Sequence, residues 1–235
     1  MNNPVLTQDF KKLRGLGATV EGVAWKTTFY ITFALLSALC SWQHAEFFMG
    51  YIKVIPFAAL AVGMACTYLP DYAMVLAPIY SVVQGFLIGV CSYAMEMVYP
   101  GVVFEAISCT FGIALSCAFL YANGLVKVTS TFKKITIILT FGVMIMYIID
   151  LIAGVFFNTF VPFLHENTVP GMITSVIIVF IATANLFLDF ARIEEAVNKH
   201  IDEKYECYLA FGLTVTLIWL YLEILRLLGK SRSRE

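Results

Sequence analysis

Seven predominantly apolar stretches, each close to the length that crosses a bilayer, constrain this chain more than any other feature. They run Trp25–Trp42, Phe47–Leu69, Tyr72–Tyr99, Val102–Leu125, Ile135–Phe157, Met172–Ala191 and Tyr208–Leu228. A helix needs about 20 such residues to cross the hydrocarbon core, where only intrahelical hydrogen bonds satisfy the backbone. Pro70, Pro100, "NGLVKVTSTFKK" and "NTFVPFLHENTVP" separate the runs, as turn residues do. Of the 235 residues, 60% are hydrophobic and 13% charged, whereas soluble domains are about half apolar and about a quarter charged. The expected fold is all-α: a polytopic membrane bundle of seven transmembrane helices over residues 25–230. A polar N-terminal tail (1–24) precedes it and a basic C-terminal tail (231–235) follows. No soluble domain fits between the spans. The charge spacing of "ARIEEAVNKHIDEKYE" extends the sixth helix beyond the membrane.

The lipid bilayer is thus the first partner. A net charge of −1 offers no basic surface for nucleic acid. Orientation follows from lysine and arginine, which gather on the cytoplasmic side. With the N-terminus cytoplasmic, that side holds Lys11, Lys12, Arg14, Lys26, Lys127, Lys133, Lys134, Arg192, Lys199 and Lys204, and the opposite loops hold only Lys53. A spanning seventh segment puts Arg226, Lys230, Arg232 and Arg234 on the wrong side, and a hairpin would return them. "LTVTLIWLYLEILRLL" has no Gly or Pro to turn on, and lipid does not tolerate exposed irregular backbone. A full helix packed among the others is therefore expected.

Three acids lie where charge is costly. Asp150 in "MYIIDLIAG", Asp189 in "NLFLDF" and Glu223 in "WLYLEILRLL" each carry an insertion cost of about 2.5–3.5 kcal/mol at mid-membrane, which marks them as functional candidates. A structural alternative stands beside each. Asp189 has Arg192 three residues on and Asn185 four before, and Glu223 has Arg226 three residues on. Asp150 has no charged neighbour at helical spacing. Burial raises a carboxyl pKa, and two adjacent carboxyls titrate as a pair. Deprotonated, such a pair attracts a hard cation such as calcium. Protonated, it shares a hydrogen and holds two helices together, which makes a pH-dependent latch on a cation path.

"GLVKVTSTFKK", "LFLDFARIEEAV", "LTVTLIWLYLEILRLLGK", "YPGVVFEAISCTFG" and the "NNPVL" start resemble the Bax inhibitor-1 family, most closely its bacterial YccA-like branch. The resemblance covers nearly the whole chain. It implies seven helices with the seventh central, and a pH-sensitive calcium leak sensed by acids in helices six and seven. Asp189 and Glu223 match those two acids. It also implies an alternative role, as a non-conducting regulator of a membrane-bound protease or other membrane partner, while the short polar N-terminus and the absence of a retrieval signal at "KSRSRE" favour a bacterial cytoplasmic membrane. Glu223 stands where such members carry Asp, and the separation of 34 residues (223 − 189) is longer than theirs. Gln84 stands where many branch members carry Glu.

Depth arithmetic gives a different pairing from the resemblance. At about 1.5 Å per residue, Asp189 lies roughly 5 Å inside the inner boundary, Glu223 about 22 Å and Asp150 about 24 Å. On depth, Glu223 meets Asp150, while Asp189 faces Thr214, Thr216 or Glu206. Only a re-entrant seventh segment restores an Asp189–Glu223 pair.

Other chemistries find no support in the residues. The GxGD motif of intramembrane aspartyl proteases is missing. His44, His165 and His200 fall in loops or at a span's edge, and no lysine between Tyr208 and Gly229 could hold retinal. The expectation is a protein without enzymatic activity, bound cofactor or resident metal, calcium being at most cargo. The six cysteines form no metal spacing, and Leu39 before Cys40 argues against a lipoprotein cleavage box. Gly85 and Gly89 have the small-xxx-small spacing that lets helices approach closely, here inside a monomer.

Overall fold

The computed structural model describes residues 17–157, 159 and 161–233. Lys11, Lys12, Arg14 and the "NNPVL" start, with Arg234 of the basic tail, lie outside the described residues. Nine α-helices form among the described residues: α1 (Val20–Gln43), α2 (Ala45–Met49), α3 (Ile55–Tyr68), α4 (Ala73–Val98), α5 (Val102–Ala122), α6 (Ser130–Phe157), α7 (Pro162–His165), α8 (Val169–Asn198) and α9 (Glu206–Arg232).

Six of these helices are long and apolar enough to cross a membrane. The expected second span is divided into α2 and α3, so where seven spans were expected the described residues hold six long apolar helices and one shorter one. The 14 residues of α3 rise about 21 Å, less than the hydrocarbon core. The break lies in "GYIKVIP". Pro56 stands in the first turn of α3, and without an N–H it cannot carry the helix backward. Tight turns take over: the Tyr51 N–H donates to the Phe48 carbonyl at 2.9 Å and the Val54 N–H to that of Tyr51 at 2.8 Å.

Helix α8 continues from its apolar run into the charged "ARIEEAVN" stretch and ends at Asn198, short of the full expected extension. There His200 takes the left-handed conformation (φ 52°) that stops it. At the other end, Gly101 (φ 88°) turns the chain from α4 into α5. Glu96 accepts the Gly101 N–H at 2.7 Å and the Val103 N–H at 3.1 Å, capping the start of α5 with negative charge.

The close approach of α1 and α4 is set by glycine. A Cβ on Gly85 would stand 2.3 Å from the Ala34 carbonyl oxygen, and one on Gly89 2.2 Å from that of Ala38. Backbone meets backbone there, which is what the small-residue spacing permits.

The last helix is central. It packs against α1, α4, α5 and α8, and its 27 residues span about 40 Å. At one end, residues 17 and 202 form a bridge and Lys204 pairs with Asp71 at 3.0 Å. At the other, Arg232 pairs with Glu105. The seventh segment therefore crosses fully and is no hairpin. Of the cations that offend the charge rule, Arg226, Lys230 and Arg232 each have a partner among the described residues.

Candidate functional site

Five polar residues of α9 fall on one stripe. Thr216, Trp219, Glu223, Arg226 and Lys230 are spaced three or four apart, so they share a face. Antiparallel α8 offers Asp189, Asn185 and Ser175 on its own stripe. Contacts fix the register: Thr216 meets Asp189 near one end and Lys230 meets Ser175 near the other. Helix α6 lies over this seam.

Asp189 is only 5% exposed. The Thr216 hydroxyl donates to its Oδ2 at 2.5 Å, joining α8 to the central helix. Arg192, one turn on and half-exposed, donates to Oδ1 at 3.2 Å. Depth had offered Thr214, Thr216 or Glu206, and Thr216 is the partner. The Thr214 hydroxyl instead bonds the Ala210 carbonyl of its own helix at 2.8 Å. Asn185 does not support Asp189 either; its amide donates to Thr140 Oγ1 of α6 at 2.7 Å.

Glu206 is engaged at the foot of α9. Its carboxylate accepts from Lys26 Nζ at 2.5 Å, the Thr19 N–H at 2.7 Å and the Thr19 hydroxyl at 3.0 Å. Residues 17–19 and the start of α1 are thereby tied to the central helix. Neither Lys26 nor Thr19 is near Glu206 in sequence, so no local spacing reveals the clamp.

Glu223, 2% exposed, accepts from the Tyr147 hydroxyl of α6. The Trp219 indole N–H also donates to it at 3.2 Å. Arg226 bonds it at 3.3 Å and reaches the Tyr147 hydroxyl at 2.9 Å, with its guanidinium over the Tyr147 ring. A buried carboxylate with a cation and two neutral donors satisfies what burial demands.

The expected Glu223–Asp150 pair does not form. Depth arithmetic was right to within a turn, but Tyr147, one turn before Asp150 on α6, takes Glu223. Asp150 turns instead to the α6–α8 link, accepting the Val161 N–H at 2.9 Å and meeting His165 Nε2 at 2.8 Å. An Asp189–Glu223 pair is also ruled out by the register, because each acid meets a different level of the facing helix.

Lys230 was missed by the sequence reading. It is 4% exposed and donates to the Gly171 carbonyl at 3.0 Å and to Ser175 Oγ at 2.9 Å. Its place in the 223/226/230 spacing was the available clue. No group of three or more His, Cys, Asp or Glu side chains is placed to hold a metal among the described residues.

A chain with this many apolar spanning helices, and with charge enclosed along a central one, is a polytopic membrane protein of the helical-bundle class. The Bax inhibitor 1 like family model matches residues 3–233, and the chain belongs to that family. The match is to the family as a whole, not to the YccA-like branch. No curated protein matches the chain.

Proposed function

We propose that the protein is a proton-regulated cation leak with calcium as its permeant ion, and that the seam between α6, α8 and α9 is the path, here closed. One observation carries this reading: polar side chains occupy the seam at successive depths, from Asp189–Thr216 through Asn185–Thr140 and Tyr147–Glu223–Arg226 to Lys230–Ser175. Each such group is costly in hydrocarbon. A continuous series of them is what an ion losing its water needs. Arg226 sits in mid-seam as a fixed positive charge, which keeps cations out while Glu223 and Tyr147 hold it there. Loss of charge at Asp189 on protonation changes what Arg192 is bound to, and so links pH to the path.

A second reading, a non-conducting regulator of a membrane-bound protease or other membrane partner, draws support from a separate fact. Asp189 and Glu223 each have their own arginine three residues on, so no shared proton between acids is needed. In both readings the protein works as a monomer in a bacterial cytoplasmic membrane, with the end bearing Lys26, Lys127, Lys133 and Lys134 facing the cytoplasm.

Calcium flux into liposomes separates the two. The leak predicts wild-type flux that varies between pH 5 and 8 (about the range in which tuned carboxyls titrate). Asp189→Asn flattens that profile, and Asp150→Asn, whose carboxylate faces the link, leaves it intact. Absence of flux at every pH refutes the leak and leaves the regulator.

A further inference from the structure

Helix α6 differs from its neighbours in how it is held. It is the least enclosed of the six long helices, and α8 is the one helix it packs closely along. Apolar side chains such as Ile138, Phe141, Ile145, Ile149 and Phe156 are exposed around it. In water that surface would drive α6 onto the bundle. In lipid it does not, because acyl chains are as apolar as leucine and only packing and polar contacts favour association.

Four of the contacts that retain α6 can be named among the described residues. Val143 packs with Ile178 and Ile181 of α8. Thr140 accepts from Asn185 at 2.7 Å. Tyr147 reaches past α8 to the central helix, donating to Glu223 and accepting from Arg226. Asp150 ties the far end to the link before α8. Of these, Tyr147 alone joins α6 to the charged residues of α9.

We propose that α6 is a lateral gate over the polar seam, with the Tyr147 hydroxyl as its latch. With the latch closed, α6 covers Glu223 and Arg226. With it open, α6 parts from α8 into the lipid at little apolar cost, and the seam is uncovered. The inference rests on the leak reading for its consequence, but the movement is measurable without any flux.

Spin labels at Met144→Cys on α6 and Val176→Cys on α8, both exposed, report the separation in the full-length protein in liposomes, with the native cysteines replaced by Ala. The wild-type latch is expected to give one short distance. Tyr147→Phe, which removes only the hydroxyl, adds a longer population and raises calcium flux severalfold. Thr140→Val, cutting the lower tether, does the same more weakly and guards against a folding defect in the first variant. Unchanged distances in both variants overturn the gate, whatever the flux does. Longer distances without flux in any variant uphold the gate and refute the leak.

Discussion

Gly85→Ala is expected to destabilise the bundle by about 1–3 kcal/mol, the usual cost of forcing an extra methyl into a filled contact, and Gly85→Ala with Gly89→Ala by more. The new Cβ atoms would lie 2.0 Å from Ser37 Oγ and Ser41 Oγ, which could rotate, but also 2.3 and 2.2 Å from the carbonyl oxygens of Ala34 and Ala38, which could not. Relief requires moving α1 away from α4 along a good part of its length. Thermal unfolding in detergent checks this. Ser37→Ala should fail to rescue Gly85→Ala, since the backbone clash remains. Gly112→Ala and Gly142→Ala, where nothing stands within 4 Å of the added carbon, should unfold as the wild type does. A Gly85→Ala protein melting at the wild-type temperature contradicts the backbone contact.

The Glu206 clamp gives the second large effect. Removing one partner of a buried ion pair costs about 3–5 kcal/mol. Lys26 is about one-third exposed, so water compensates in part and about 2 kcal/mol is the expected loss for Glu206→Ala. Two Thr19 donors lose their acceptor as well. Glu206→Gln keeps an oxygen for Thr19 and should be milder. Gly22→Ala should resemble Glu206→Ala with the carboxylate still present, because its Cβ would stand 2.1 Å from Glu206 Oε2. Hydrogen exchange at the Thr19 amide distinguishes the clamp from general loosening. Faster exchange at Thr19 with unchanged exchange in mid-α8 is the expected pattern, and uniform acceleration would show that the contact is not local.

The seam and the clamp assign different tasks to the charges of α9. Glu206 fixes the foot of the helix to α1, while Glu223 and Arg226 hold α6. Lys230 and Arg232 fix the head to α8 and α5. A helix gripped at both ends keeps its place in the bundle while α6, latched to its middle through Tyr147, moves.

The all-helical class, most of the long apolar helices and the continuation of α8 into its charged stretch were legible in the residues. Apolar run length and helical spacing are local properties, and a bilayer leaves the backbone no other solution. Asp189 with Arg192, and Glu223 with Arg226, were readable for the same reason: three residues along a helix is one turn.

Partners across helices were not legible. The arithmetic of rise per residue gave the level of Glu223 correctly but not its rotation about the axis, so Asp150 was expected where Tyr147 stands. The break between α2 and α3 was hidden because Gly50, Lys53 and Pro56 lie in an otherwise apolar run, and hydropathy averages over them. Lys26 meets Glu206 across 180 residues of sequence, a distance at which no periodicity operates. Sequence alone thus determined which segments are helices apolar enough for a bilayer and which arginine stands beside Asp189 and beside Glu223. Tertiary structure decided what each acid touches, because that depends on how helices are rotated and paired, and only their mutual packing sets those angles.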